Sequence, residues 1–318
     1  MAKPELLLIC GVTDRMMGRL TAEFTVHNVR DIPDLDAFLS EKGSEILAVA
    51  TDGHLGLKTE VMERLPNLKI VSSYGVGYDA IDAGAAASRG VVVTHTPDVL
   101  NDEVADTAIM LWLAVSRRLV VNDAYVRNGR WEAEGNAPLS RSIENRTVGI
   151  LGLGRIGQTI AERAKVFNAE ILYHSRSAKD VPYTYCADLV DMARRSDVLI
   201  CITPGGPETR HLVTRDVLDA LGPEGTLINV SRGSVVDEAA LVEALRDGRL
   251  GAAGLDVFED EPRVPAALLD MDNVVLQPHV GSATVETRQA MGDLTCDNLS
   301  QYLKDGTTLT PVPECKDL

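Results

Sequence analysis

No apolar run in this 318-residue chain approaches the length needed to cross a bilayer, which argues against an integral membrane protein. The opening residues, MAKPELLLICG, carry one lysine and a short apolar run. That run is too brief and too lightly flanked for a secretory signal; it reads as a first strand, and a cytoplasmic location is expected. Cysteine is scarce: Cys10, Cys186, Cys201, Cys296 and Cys315 are odd in number, scattered and without a CxxC pair. This pattern favours buried reduced thiols over disulfides or zinc ligands, and no metal is implied. Positive charge is also in deficit. Lys and Arg number 31 against 47 Asp and Glu, a formal net charge of −16, so no general nucleic-acid surface is expected and any cationic pocket for an anionic ligand becomes notable. Internal repeats and low-complexity segments are missing, and the Pro/Lys tail, Thr310 to Leu318, is expected to be peripheral.

What is present is a regular alternation of short β-rich apolar runs and helical patterns. With 45% hydrophobic residues the chain is long enough for two domains, each with its own core. Runs at Glu5–Gly11, Phe24–Val29, Ile46–Thr51, Leu68–Tyr74 and Val91–Thr96 alternate with helical patterns such as Asp34–Glu41 and Ala80–Arg89. Such alternation predicts a parallel, doubly wound sheet. A longer helical pattern, Asp102 to Leu119, follows Asn101 as its N-cap. A second α/β unit then offers strands near Thr147–Leu151, Ala169–Tyr173, Val198–Thr203, Thr226–Ser231, Ala252–Phe258 and Val274–Gln277, which suits a six-stranded dinucleotide fold. The pattern from Val285 to Leu303 is helical again and returns to the first unit.

The second unit opens on RTVGILGLGRIGQTIAERAKVFNAEILYHSRS, a strand, a glycine turn, a helix and a strand. Gly152 permits the tight turn, Gly154 lets backbone approach a phosphate, and Gly157 allows close helix packing. The helix start offers free N–H donors to a dinucleotide pyrophosphate. An NAD site places Asp or Glu at the end of the second strand, on the adenosine ribose. Here the segment is Ser175-Arg176-Ser177, with Lys179 behind it and His174 before it. Hydroxyls and a guanidinium suit a 2′-phosphate that a carboxylate would repel, so NADP(H) is the preferred cofactor and NAD(H) the alternative. His174 or Lys179 facing the ribose instead is the competing reading.

Ligands of open α/β sheets bind at the carboxyl ends of the strands. Three charged residues stand there: Arg232 after LINVS, Glu261 in DVFEDEP, and His279 after VVLQP. A guanidinium can grip the carboxylate of a 2-oxo acid and polarise its ketone, an imidazolium can protonate the ketone oxygen, and a carboxylate can orient the imidazole. Glu259, in the same acidic run, is the rival for the last role. His54 follows a strand end of the first unit and is a weaker substrate candidate, while His27, His95 and His211 read as structural.

These motifs, with LPNLKIVSSYGVGYDAID, TPGGPETRHLV, INVSRGSVVDEAAL, GLDVFEDEP and QPHVGSAT in order along nearly the whole chain, resemble the D-isomer-specific 2-hydroxyacid dehydrogenases. Within that family the chain looks most like the NADP-dependent glyoxylate/hydroxypyruvate reductases. The resemblance implies an α/β fold of two Rossmann-like domains with parallel doubly wound sheets. A flavodoxin-like substrate domain would take residues 1–98 with 285–318 and a dinucleotide-binding domain residues 99–284, with the cleft between them. It implies Arg232 as substrate binder, His279 as acid/base and Glu261 as its partner. Asp256 would hold the nicotinamide carboxamide, and Arg155 and Ile156 would meet the pyrophosphate. Thr203, Pro204, Thr209, Val230 and Gly281 would line the cofactor site, and the backbone N–H groups of Val76 and Gly77 would receive the substrate carboxylate. It implies a small 2-oxo acid as substrate and a homodimer formed through Asp102–Arg130, with Trp131 as a core or interface anchor. Two alternatives stay open: a relative acting on a larger phenylpyruvate, 2-ketogluconate or phosphoglycerate type of substrate, and a dinucleotide-sensing corepressor without turnover. No regulatory extension follows Leu318, which weighs against a phosphoglycerate enzyme.

Overall fold

The computed structural model describes residues 3–318. The chain divides into two units, one running up to Leu100 and resuming at Ala283–Leu318, the other spanning Asn101–Ser282. In the first unit, β1 (Glu5–Leu8), β2 (Thr25–Asn28), β3 (Ile46–Thr51), β4 (Ile70–Ser73) and β5 (Val92–Thr94) form a sheet in the order β2-β1-β3-β4-β5. Every pair is parallel, and this is the flavodoxin-like order. β1 is apolar without alternation because both faces are covered; Leu6, Leu7 and Leu8 are fully buried. Side-chain caps start the crossover helices: Thr13 accepts from the Met16 N–H, Asp34 from Ala37 and Asp82 from Ala85.

The helix Val285–Asp305 packs on β4 and on the helix Asp14–Glu23. Arg15 and Arg19 pair with Asp293, and Arg19 also with Asp297. The tail beyond this helix departs from the sequence expectation, because it is part of the core. The Val312 N–H donates to the Val93 carbonyl, Pro311 bridges Thr94 in antiparallel fashion, and Val312 and Cys315 are buried among the apolar residues under the sheet. The apolar positions Val312 and Cys315 are two isolated residues among polar neighbours, so no periodicity marked them.

The second unit begins with the helix Asn101–Ser116, shorter than its pattern; Arg118 breaks it in a left-handed conformation (φ 52°) before a new helix, Leu119–Arg127. Its sheet contains β6 (Thr147–Leu151), β7 (Glu170–His174), β8 (Thr184–Tyr185), β9 (Val198–Cys201), β10 (Thr226–Asn229), β11 (Ala252–Leu255) and β12 (Val274–Leu276). The order is β12-β11-β10-β9-β6-β7-β8, all parallel. Counted within the unit this is 3-2-1-4-5-6-7, the dinucleotide-binding order with a seventh strand. The six strands expected from sequence omit β8, whose two residues are too few to make an apolar run. The fold is therefore two parallel-sheet α/β units, as the sequence implied. All five cysteines are free and buried. Among the described residues no helix is long and apolar enough to cross a membrane.

Candidate active site

The turn from β6 into the helix Arg155–Ala164 shows why each glycine stands where it does. Gly152 has φ 100°, and a Cβ there would lie 2.7 Å from the Ile202 carbonyl oxygen; a Cβ at Gly157 would lie 2.2 Å from the Gly152 carbonyl oxygen. At Gly154, by contrast, a Cβ would meet nothing within 4 Å. Two glycines thus close the turn onto β9 and the third leaves open space in front of the helix. Among the described residues no side chain caps that helix, as suits an end that receives a phosphate, and Arg155 in its first turn is exposed. Thr203 lies just past β9, and its Oγ1 is buried with no hydrogen-bond partner among the described residues. The Thr209 hydroxyl donates to the Pro204 carbonyl (2.8 Å), closing the loop that follows, and Val230 is buried just past β10. An open phosphate cradle and an orphaned hydroxyl fit a dinucleotide.

Past β7, Ser175 Oγ donates to the Ser177 carbonyl (2.7 Å), shaping a turn in which Arg176, Ser177 and Lys179 are exposed. His174 is half-buried and its Nδ1–H donates to the Cys186 carbonyl (2.9 Å), which ties the ring to the sheet. The first carboxylate after the strand is Asp180.

Arg232, Glu261 and His279 leave the carboxyl ends of three neighbouring parallel strands, β10, β11 and β12. Asn229, the last residue of β10, organises the first of these loops. Its Oδ1 accepts from the N–H and hydroxyl of Ser231, and its Nδ2 donates to the Arg232 carbonyl (3.0 Å). Gly233 follows because nothing larger fits; a Cβ would sit 1.9 Å from the Phe258 carbonyl carbon. Arg232 is half-buried, with Nη1 donating to the Ser231 carbonyl.

His279 is held at both ends. Its backbone has φ 55°, and its N–H donates to the Asp256 carbonyl while the Asp256 carboxylate accepts from the N–H groups of Val280 and Gly281, both at 2.8 Å. Burial pushes the Asp256 carboxyl up, against the two N–H donors and the nearby His279, which lower it. The His279 side chain gives its Nδ1–H to Glu261 Oε2 at 2.7 Å, and Glu261 Oε1 accepts from the Phe258 N–H. A carboxylate only accepts, so the proton of the neutral ring sits on Nδ1 and Nε2 is the nitrogen left for chemistry. Glu259, the rival for this role, accepts instead from Arg210 and from His211 Nε2. Asn229 and the partners of Glu259 were not picked out from sequence; a lone polar residue in a strand and the pairing of one acid in an acidic loop carry no distinguishing pattern.

In the first unit, Val76 and Gly77 lie half-exposed in the loop after β4. His54 is exposed, its N–H donating to Asp52 Oδ1. Trp131 is 59% exposed and so anchors no core of this chain. Among the described residues no group of three or more His, Cys, Asp or Glu is placed to hold a metal ion.

Residues 109–281 match the family described as D-isomer specific 2-hydroxyacid dehydrogenase, NAD binding domain. Glyoxylate/hydroxypyruvate reductase A of Arabidopsis thaliana is 46% identical over 96% of this chain and 98% of its own length. Hydroxyphenylpyruvate reductase of Plectranthus scutellarioides is 47% identical over 96% of this chain and 98% of its own. Among solved structures, the NADPH-dependent glyoxylate/hydroxypyruvate reductase of Sinorhizobium meliloti, in complex with NADP and malonate, superposes with a TM-score of 0.93 at 47% identity, covering 99% of this chain and 98% of that one. With the glycine turn, the strand order and the three strand-end residues, these matches make the chain a member of the D-isomer-specific 2-hydroxyacid dehydrogenase family.

Proposed function

We propose that this enzyme reduces a small 2-oxo acid of the glyoxylate or hydroxypyruvate type to the D-2-hydroxy acid with NADPH. The observation that carries the reading is the His279–Glu261 pair, beside Arg232, at the carboxyl ends of adjacent strands of a dinucleotide-binding sheet. The second unit serves as the dinucleotide-binding domain and the first, with the C-terminal helix, as the substrate domain. Arg232 grips the carboxylate and polarises the ketone. His279 gives its proton from Nε2 to the ketone oxygen, while Glu261 holds the ring and stabilises its charged form. The N–H groups of Val76 and Gly77 take the substrate carboxylate. NADPH, when bound, supplies the hydride. Gly152, Gly154, Arg155, Ile156 and Gly157 would hold its pyrophosphate, Ser175, Arg176 and Ser177 its 2′-phosphate, and Thr203, Pro204, Thr209, Val230, Asp256 and Gly281 its remaining length.

The relative named for NADPH supports the cofactor assignment, as does the absence of a carboxylate directly after β7. A larger aromatic 2-oxo acid is the second reading, favoured by the 47% identity to a hydroxyphenylpyruvate reductase. We also propose a cytoplasmic homodimer. Its interface would use the apolar residues that Leu119–Arg127 and the following arm expose, among them Val120, Val126, Trp131 and Leu139.

The test is the steady-state rate of NADPH and NADH oxidation with glyoxylate, hydroxypyruvate, pyruvate and phenylpyruvate, for the native enzyme and Arg176→Ala. Fast NADPH turnover with glyoxylate and hydroxypyruvate is expected, with KM for NADPH rising in the variant far more than KM for NADH. Preference for phenylpyruvate would enlarge the pocket, and NADPH binding without turnover would favour a sensor.

A further inference from the structure

The loop Gly75-Val76-Gly77 is built from three peptide units, each with its carbonyl held. The Gly75 oxygen accepts from the Thr96 N–H at 2.9 Å, the Val76 oxygen from His95 Nδ1 at 2.8 Å, and the Gly77 oxygen from Ser73 Oγ at 3.1 Å. In a planar trans peptide the C=O and N–H point in opposite directions. Holding the Gly75 and Val76 carbonyls toward the segment that follows β5 therefore turns the N–H groups of Val76 and Gly77 away from it, side by side. Among the described residues, none of the backbone hydrogen bonds of the unit uses either N–H. Two adjacent N–H groups presented in this way form a concavity for an anion.

The two peptides differ in what holds them. The first is fixed by backbone alone, from Thr96. The second depends on a side chain: a carbonyl only accepts, so His95 Nδ1 carries the proton of this bond. Gly77 on one side of that peptide and Gly75 one residue before it give the backbone unusual rotational freedom, so little else opposes its reversal. His95 is itself well anchored. Its N–H donates to the Thr310 carbonyl, the Thr310 hydroxyl donates back to the His95 carbonyl (2.6 Å), and the ring meets Tyr78 edge-on with centroids 5.5 Å apart.

We propose that His95, by donating from Nδ1 to the Val76 carbonyl, is a positioning residue that sets the direction of the Gly77 N–H and with it the affinity of this loop for the substrate carboxylate. The proposal rests on the functional reading above, which places the carboxylate at Val76 and Gly77. It turns a histidine that reads from sequence as merely structural into a determinant of substrate KM.

Two variants separate the donor from the packing. His95→Phe keeps a ring against Tyr78 and removes the donor; His95→Asn places an amide N–H close to where Nδ1 stands. In steady-state assays with glyoxylate, His95→Phe is expected to raise KM by about 10-fold, the scale of one hydrogen bond to a charged group, with kcat and the KM for NADPH changed less than about 2-fold. His95→Asn is expected to restore most of the affinity. A wild-type KM in His95→Phe, a parallel loss of kcat and NADPH affinity, or no rescue by Asn would overturn the proposal. A second readout does not depend on turnover: the assigned amide resonance of Gly77 in glycine-labelled protein should move in His95→Phe and return in His95→Asn. If the native enzyme reduces no 2-oxo acid, a displaced Gly77 resonance leaves the positioning role standing without that activity, and an unmoved one removes both.

Discussion

His279 owes its geometry to two acidic residues with separate duties. Asp256 accepts from the N–H of His279 and of the two residues after it and holds a left-handed residue in place, while Glu261 accepts from the ring. The ring can gain and lose a proton at Nε2 without losing either restraint. His279→Ala is therefore expected to leave NADPH binding nearly intact, as followed by cofactor fluorescence, while kcat falls by about 100-fold or more. Wild-type turnover in that variant would remove His279 from the chemistry. Arg232 and His279 were legible as candidates because each is a lone charge just past an apolar strand, and Glu261 because it falls in the acidic loop after another. Which glutamate of Glu259-Asp260-Glu261 meets the histidine was not, since three consecutive acids in a loop have no period to distinguish them. The structure separates them by partner, Glu259 going to Arg210 and His211.

At the scale of the element, the turn after β6 was readable in sequence because glycine spacing, an apolar run and a helical pattern coincide. The different duties of its glycines came from packing. An added methyl at Gly157 would run into backbone at 2.2 Å, whereas one at Gly154 enters open space. Gly157→Ala is accordingly expected to lower stability by about 1–3 kcal/mol in urea denaturation and to weaken NADPH binding, because the helix must back away from the turn. Gly154→Ala should leave the urea midpoint unchanged and affect only the cofactor. Equal midpoints for the two variants would contradict this division. β8 and the break at Arg118 lay beyond sequence reasoning for the same reason: two residues of strand, or one left-handed residue between helical stretches, leave no periodic trace.

For the molecule as a whole, the first unit is discontinuous, and its last segment closes it. Pro311 bridges Thr94, and Val312 and Cys315 complete the core under the sheet, in place of the peripheral tail that composition suggested. Removing two methyl groups from a fully buried side chain leaves a cavity, so Val312→Ala should destabilise this unit by about 2 kcal/mol, read as a lower urea midpoint. An unchanged midpoint would return the tail to the periphery. The same segment supplies Thr310 to His95, so the truncation of a few terminal residues bears on more than packing.

By itself the sequence determined the alternation of strand and helix, the parallel character of both sheets and the dinucleotide turn, and it singled out charged residues at strand ends. These are local properties: burial on both faces demands uninterrupted apolar runs, and a tight turn demands glycine at set intervals. Only the tertiary structure decided which glutamate reaches His279, that Asn229 holds the Arg232 loop, that the tail enters the core and that His95 holds the Val76 carbonyl. Apart from the Asn229 contact, which spans three residues, each of these joins residues from separate loops or distant parts of the chain. The directions of hydrogen bonds between them follow from how the strands are stacked, which no local pattern encodes.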